Sequence, residues 1–193
     1  MGAPGLLMQL IARARAGLAR ALAITASRIA PRLAVGQIAS TYHDLLVQYR
    51  FQVVDRLESI YETYAAGDPS DVQDTFLIIE FADRPWDYVQ CVFDSPTRLL
   101  CEAASGFFFD APGQSLLYRL SASAIAALGR LGFSTDDSAG NFRIWLDITN
   151  PPDCNAIADF MLKVLHDGYG ARADSKLSFN APYAPQPTTI AFR

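Results

Sequence analysis

The chain is short of the residues that do chemistry. In 193 residues there are two histidines and three cysteines. There is no GxSxG, no HExxH and no glycine-rich phosphate loop. His43 and His166 are far apart in sequence and fall on different predicted elements, which leaves no pair for a metal or a proton relay. No triad arrangement is assignable from spacing, and Asp136-Asp137 lacks the alternating oxygen ligands of a calcium loop. The odd cysteine count without CxxC spacing favours reduced thiols in a cytosolic protein, with Cys91 and Cys101 as small buried residues; a disulfide between them across adjacent strands is the alternative. No run approaches the roughly 18 apolar residues that span a bilayer. The amino terminus also lacks the charged start and unbroken apolar core of a secretory signal, although its composition would suit an organellar transit peptide.

Acidic residues are missing from one region altogether. Residues 1–43 contain five of the 16 basic side chains and no Asp or Glu. The other 11 basic residues share the rest of the chain with 20 acidic ones, a balance of −9. An acidic body therefore carries a basic head, and the overall net charge of −4 argues against nucleic acid as a partner, because that affinity rests on cations displacing counterions.

What the chain has in quantity is apolar surface. Hydrophobic residues make up 51%, which excludes global disorder and allows one domain with a proper core. In the head, Leu7, Ile11, Leu18, Leu22 and Ile29, with Leu33, recur at four and seven, an apolar stripe at helical period that Pro31 interrupts. Three readings stay open for this helix: packing on the body, pairing with a partner protein, or lying on a membrane surface. A second helix is predicted from about Gln37 to Ala66, ended by Gly67 in the left-handed position.

The segment Thr75 to Phe109 then reads as three antiparallel strands, with turns at Asp83–Pro85 and Asp94–Thr97. Side chains alternate between faces along a strand. One face collects Leu77, Ile79, Phe81, Val89, Cys91, Phe93, Leu99, Cys101 and Ala103, and should be the core side. The other mixes Phe76, Ile78, Trp86, Tyr88 and Leu100 with Glu80, Gln90, Arg98 and Glu102. A half-apolar outer face implies a cover, either a helix of the same chain or another polypeptide. Glu80 and Glu102 could approach as an acid/base pair, but solvated outer-face residues or an ion pair with Arg98 is the preferred reading. A short helix over Ala122–Arg130 capped by Ser121, a strand over Asn141–Thr149, and a last helix that Pro151-Pro152-Asp153 leads into, running to about His166 and stopped by Gly168, complete the body. Asp159 and Lys163 are spaced for an intrahelical ion pair. Beyond Ala171 the proline-rich sequence predicts an irregular tail. The organisation is a helical extension over 1–36, an α+β domain over 37–180, and a tail over 181–193.

The segments YVQCVF, LLCEAASGFFF, LSASAIAALGRLGF, NFRIWLDI and AIADFMLKVLHDGYGA together resemble the TY-Chap family, relatives of YbjN-like proteins and type III secretion chaperones. The resemblance covers roughly Thr75 to Asn180 and rests on Glu102 before small and aromatic residues, on Leu128–Phe133, on Asn141-Phe142 and on Tyr169-Gly170. The family usually has Trp where Phe133 stands, and the head lies outside the match. The resemblance implies a compact α+β domain, secretion-chaperone-like and often homodimeric, that binds a partner polypeptide in the cytoplasm and performs no chemistry; it implies no cofactor. The partner-binding candidates are Phe76, Ile78, Trp86, Tyr88 and Leu100. An adaptor or scaffold tethered by the basic head to a membrane surface or larger assembly is the alternative.

Overall fold

A computed structural model describes residues 40–67, 75–106, 120–136, 138 and 140–182. The fold is α+β, with three helices and five strands among those residues: α1 Tyr42–Ala66, β1 Phe76–Phe81, β2 Arg84–Ser95, β3 Arg98–Ala103, α2 Ala122–Arg130, β4 Phe142–Asp147, α3 Cys154–Tyr169 and β5 Leu177–Asn180. The head stripe Leu7, Ile11, Leu18, Leu22 and Ile29 lies outside the described residues, as does most of the tail.

The strands form one antiparallel open sheet in the order β4-β3-β2-β1-β5. The meander β1-β2-β3 is central, and β4 and β5 add to its two edges. All nine side chains expected on the core face are at most 2% exposed. Against them pack Leu45, Val53, Leu57 and Ile60 from α1, with Ile157, Met161 and Leu165 from α3. Burial of each such side chain is worth about 1.5–3 kcal/mol, which makes this layer the main source of stability. Leu100, on the opposite face, is buried but stands outside this cluster. The helices α1 and α3 thus occupy the inner side of the sheet, and α2 packs on α3.

Local sequence explains the element ends. The Thr41 side chain accepts from the Asp44 N–H, and the Asp44 carboxylate accepts from the Thr41 N–H at 2.7 Å, a capping box that opens α1 at Tyr42. Asp153 caps α3, accepting from Asn155 and Ala156. Ser121 caps α2, as expected.

Several sequence expectations are corrected. Gly67 does end α1, but at φ −88, in extended backbone. Gly168 does not stop α3. It lies inside the helix, where a Cβ would come within 2.7 Å of a Leu128 methyl, so its bareness serves the close approach of α2. Gly170, at φ +74, is the left-handed stop. The first turn is Ala82-Asp83, and Pro85 lies within β2. The segment after Ala171 is not structureless: Leu177–Asn180 forms β5, antiparallel to β1. Leu177 and Phe179 continue the inner face, with the Arg56 guanidinium 4.6 Å from the Phe179 ring centre.

The α1–α3 contact carries a polar seam. Arg50 holds both oxygens of Asp159, at 2.6 and 3.0 Å, and the Tyr42 hydroxyl donates to the Asp159 carbonyl. Lys163 pairs with Asp167 at 2.8 Å, so the expected Asp159–Lys163 pair does not form. Burial, aided by the nearby Asp159 and Asp167 carboxylates, pushes the Tyr42 hydroxyl up to about 12.

Candidate functional site on the outer face of the sheet

Register defines the outer face row by row. One row crosses four strands as Trp145, Leu100, Val92 and Phe76. The next runs Arg143, Glu102, Gln90, Ile78 and Asn180. The first is wholly apolar and the second mostly polar. Near the end of the first row the Arg98 guanidinium stacks 4.0 Å over the Trp145 ring, and Trp145 is 46% exposed. Arg98 and Asp147 are backbone register partners across β3 and β4.

The polar row has an unusual electrostatic feature. Glu102 is 2% exposed and is held by Arg143 through one oxygen, at 2.7 Å. Its other oxygen, and the side-chain oxygen of Gln90 opposite it, are buried without a hydrogen bond. Buried polar atoms ordinarily find partners, and here the Gln90 amide lies directly opposite the Glu102 carboxylate.

The structure sorts the five predicted binding residues. Phe76 and Ile78 lie half-buried in the two rows. Leu100 is in the apolar row but only 7% exposed, and Tyr88 is 3% exposed, with its hydroxyl accepting from the Asn141 side chain. Trp86 falls among the extra residues between the Glu80–Tyr88 and Phe81–Arg84 pairs, so register does not assign it to either row. Tyr88 and Leu100 are therefore corrected from open contact residues to buried ones. Trp145 and Val92 were missed. The signal for Trp145 was present, since it shares a face with Arg143 and Asp147 and alternates with Phe142, Ile144 and Leu146 along the strand.

The same register settles the carboxylates. Glu80 and Glu102 lie on strands separated by β2, so they form no acid/base pair, and Glu102 pairs with Arg143, not with Arg98. Cys91 and Cys101 stand directly opposite each other, Cα atoms 4.2 Å apart, and are joined by a disulfide. This departs from the expected reduced thiols, because cross-strand pairing places both sulfurs on the inner face within bonding reach. Cys154 is the free cysteine and is buried. His43 is exposed on α1, while His166 bonds to Asp167 and packs edge-on against Tyr42. Burial opposes ionisation of Asp167, but hydrogen bonds from Lys163 and His166 outweigh it and hold this carboxyl below the ordinary carboxylate range.

Among the described residues no three metal-ligating side chains come together, and no helix is long and apolar enough to cross a membrane. A polar cleft of about 540 Å³ lies between the start of β2, α2 and the end of α3. Its Arg84 and Asp87 pair with each other at 2.8 Å, and Asp167 is taken by Lys163 and His166. Comparison with family models, with curated proteins and with solved structures finds no match.

Proposed function

We propose that this chain is a non-enzymatic, chaperone-like module that holds an extended segment of a partner polypeptide against the outer face of its sheet. The observation that carries the reading is the apolar row Trp145–Leu100–Val92–Phe76, on the side of the sheet away from α1 and α3, with Trp145 exposed at its end. An extended peptide supplies apolar side chains to pack on the open end of this row, at the exposed Trp145. The resemblance of Thr75–Asn180 to the TY-Chap family supports the same reading, and with it a homodimer that uses no cofactor; the cytoplasmic location that the resemblance implies stands against the Cys91–Cys101 disulfide.

The test is co-purification of the full chain from its own cells, followed by native mass measurement and hydrogen exchange with the captured partner. Binding should protect the amides of β3 and β4, and Trp145→Asp should release the partner without changing the unfolding midpoint. A partner retained in full by Trp145→Asp, or protection confined to other elements, rejects this site.

A further inference from the structure

We propose that the solvent side of α1 is a second, separate docking surface, and that it takes a basic amphipathic helix from another polypeptide. Asp44, Val47, Phe51, Asp55, Glu58 and Glu62 are spaced by three or four along α1 and so fall on one stripe. All six are exposed, opposite the stripe of Leu45, Val53, Leu57 and Ile60 that faces the core. Val47 is 75% exposed and Phe51 81%. Neither helps hold this fold together, and an aromatic side chain left in water on a regular helix has no structural reason of its own.

The charges beside that pair choose the occupant. Asp55, Glu58 and Glu62 follow Phe51 over three turns, and none of them takes part in an ion pair among the described residues. Asp44, at the other end, is used in the capping box. The stripe is thus an apolar centre with an acidic run on one side that no described cation neutralises. A helix of about 16 residues, roughly 24 Å long, would match it from Val47 to Glu62. It would set aliphatic side chains four apart on Val47 and Phe51, and Arg or Lys one to three turns further on against the carboxylates. A strand is a poor fit, because a convex helix face offers no backbone ladder. An anionic lipid surface is excluded by the three carboxylates that would meet it. The −9 balance of the chain beyond His43 adds long-range attraction for a cationic partner.

The test uses the full chain and a labelled 18-residue synthetic helix with Leu at positions four apart and Arg on both flanks, followed by fluorescence anisotropy and amide chemical shifts. Saturable binding is expected, with shifts concentrated on α1. Phe51→Asp should weaken it at least tenfold, and the double variant Glu58→Lys, Glu62→Lys several-fold, with the circular dichroism spectrum unchanged. Raised salt should weaken it further, a peptide with Glu in place of Arg should not bind, and Trp145→Asp should bind normally, which separates this surface from the outer face of the sheet. The proposal is overturned by equal binding to the Phe51→Asp and charge-reversed variants, by shifts mapping elsewhere, by no binding at all, or by Phe51-dependent self-association in sedimentation, which would give the face to a second copy.

Discussion

The two faces of the sheet are built from alternate residues of the same strands, and they differ in kind. Inward, Leu77, Ile79, Val89, Phe93 and Leu99 are sealed by α1 and α3, with every side chain apolar. Outward, Phe76, Val92, Leu100 and Trp145 run beside Ile78, Gln90, Glu102 and Arg143. The inner face accounts for stability. The outer face carries buried polar atoms that a core would not tolerate, because a buried acceptor without a donor costs more than an apolar group of the same shape.

Substitutions can break that contrast, and the largest effect belongs to the inner face. Phe93 is 1% exposed and packs on Tyr61 and Tyr64. Phe93→Ala should cost about 3–5 kcal/mol in urea unfolding. A loss below about 1 kcal/mol would mean that this layer is not the core.

On the outer face, Arg143→Met removes the cation from buried Glu102 and should cost about 1–3 kcal/mol, most of it recovered in the double variant with Glu102→Leu. If the double variant is no more stable than the single, Glu102 is not held by this pair.

Cys154 tests how well the inner side is sealed at the first turn of α3. Burial first, then the Glu58 and Asp153 carboxylates, push its thiol from the ordinary 9.0 up to about 11. The neutral thiol is favoured in the folded state, so this contribution to stability is complete below pH 9 and fades as pH rises towards 11. Native protein at pH 8 should resist iodoacetamide at Cys154, whereas unfolded protein should gain the adduct by mass. Rapid native alkylation would contradict the burial.

Trp145 should give the smallest change. It is half exposed at the edge strand, so Trp145→Ala should shift stability by no more than about 0.5 kcal/mol. A loss above about 2 kcal/mol would make it part of the core and remove the difference between the faces.

The periodicity of α1, the alternation in the meander and the limits of α2 were legible in the sequence, because each depends on residues within a few positions of one another. The nine core-face residues follow from period-two alternation alone. Edges and partners were not legible. β5 is four residues with no room to show a pattern, and it exists because β1 offers it an open edge. Gly168 reads as a stop in the sequence, but α3 continues past it because Leu128 needs the space a Cβ would fill. The ion pairs went to Arg143 and Arg50, which sit on other elements and so cannot be found by spacing.

By itself the sequence determined the fold class, the apolar side of each strand and the scarcity of catalytic residue types, since composition and local period decide these. Only the tertiary structure decided which outer-face residues are buried, which cysteines are bonded and which side of α1 is left in water. Those depend on register and packing between segments up to a hundred residues apart, and no local pattern encodes the distance between two side chains brought together by folding.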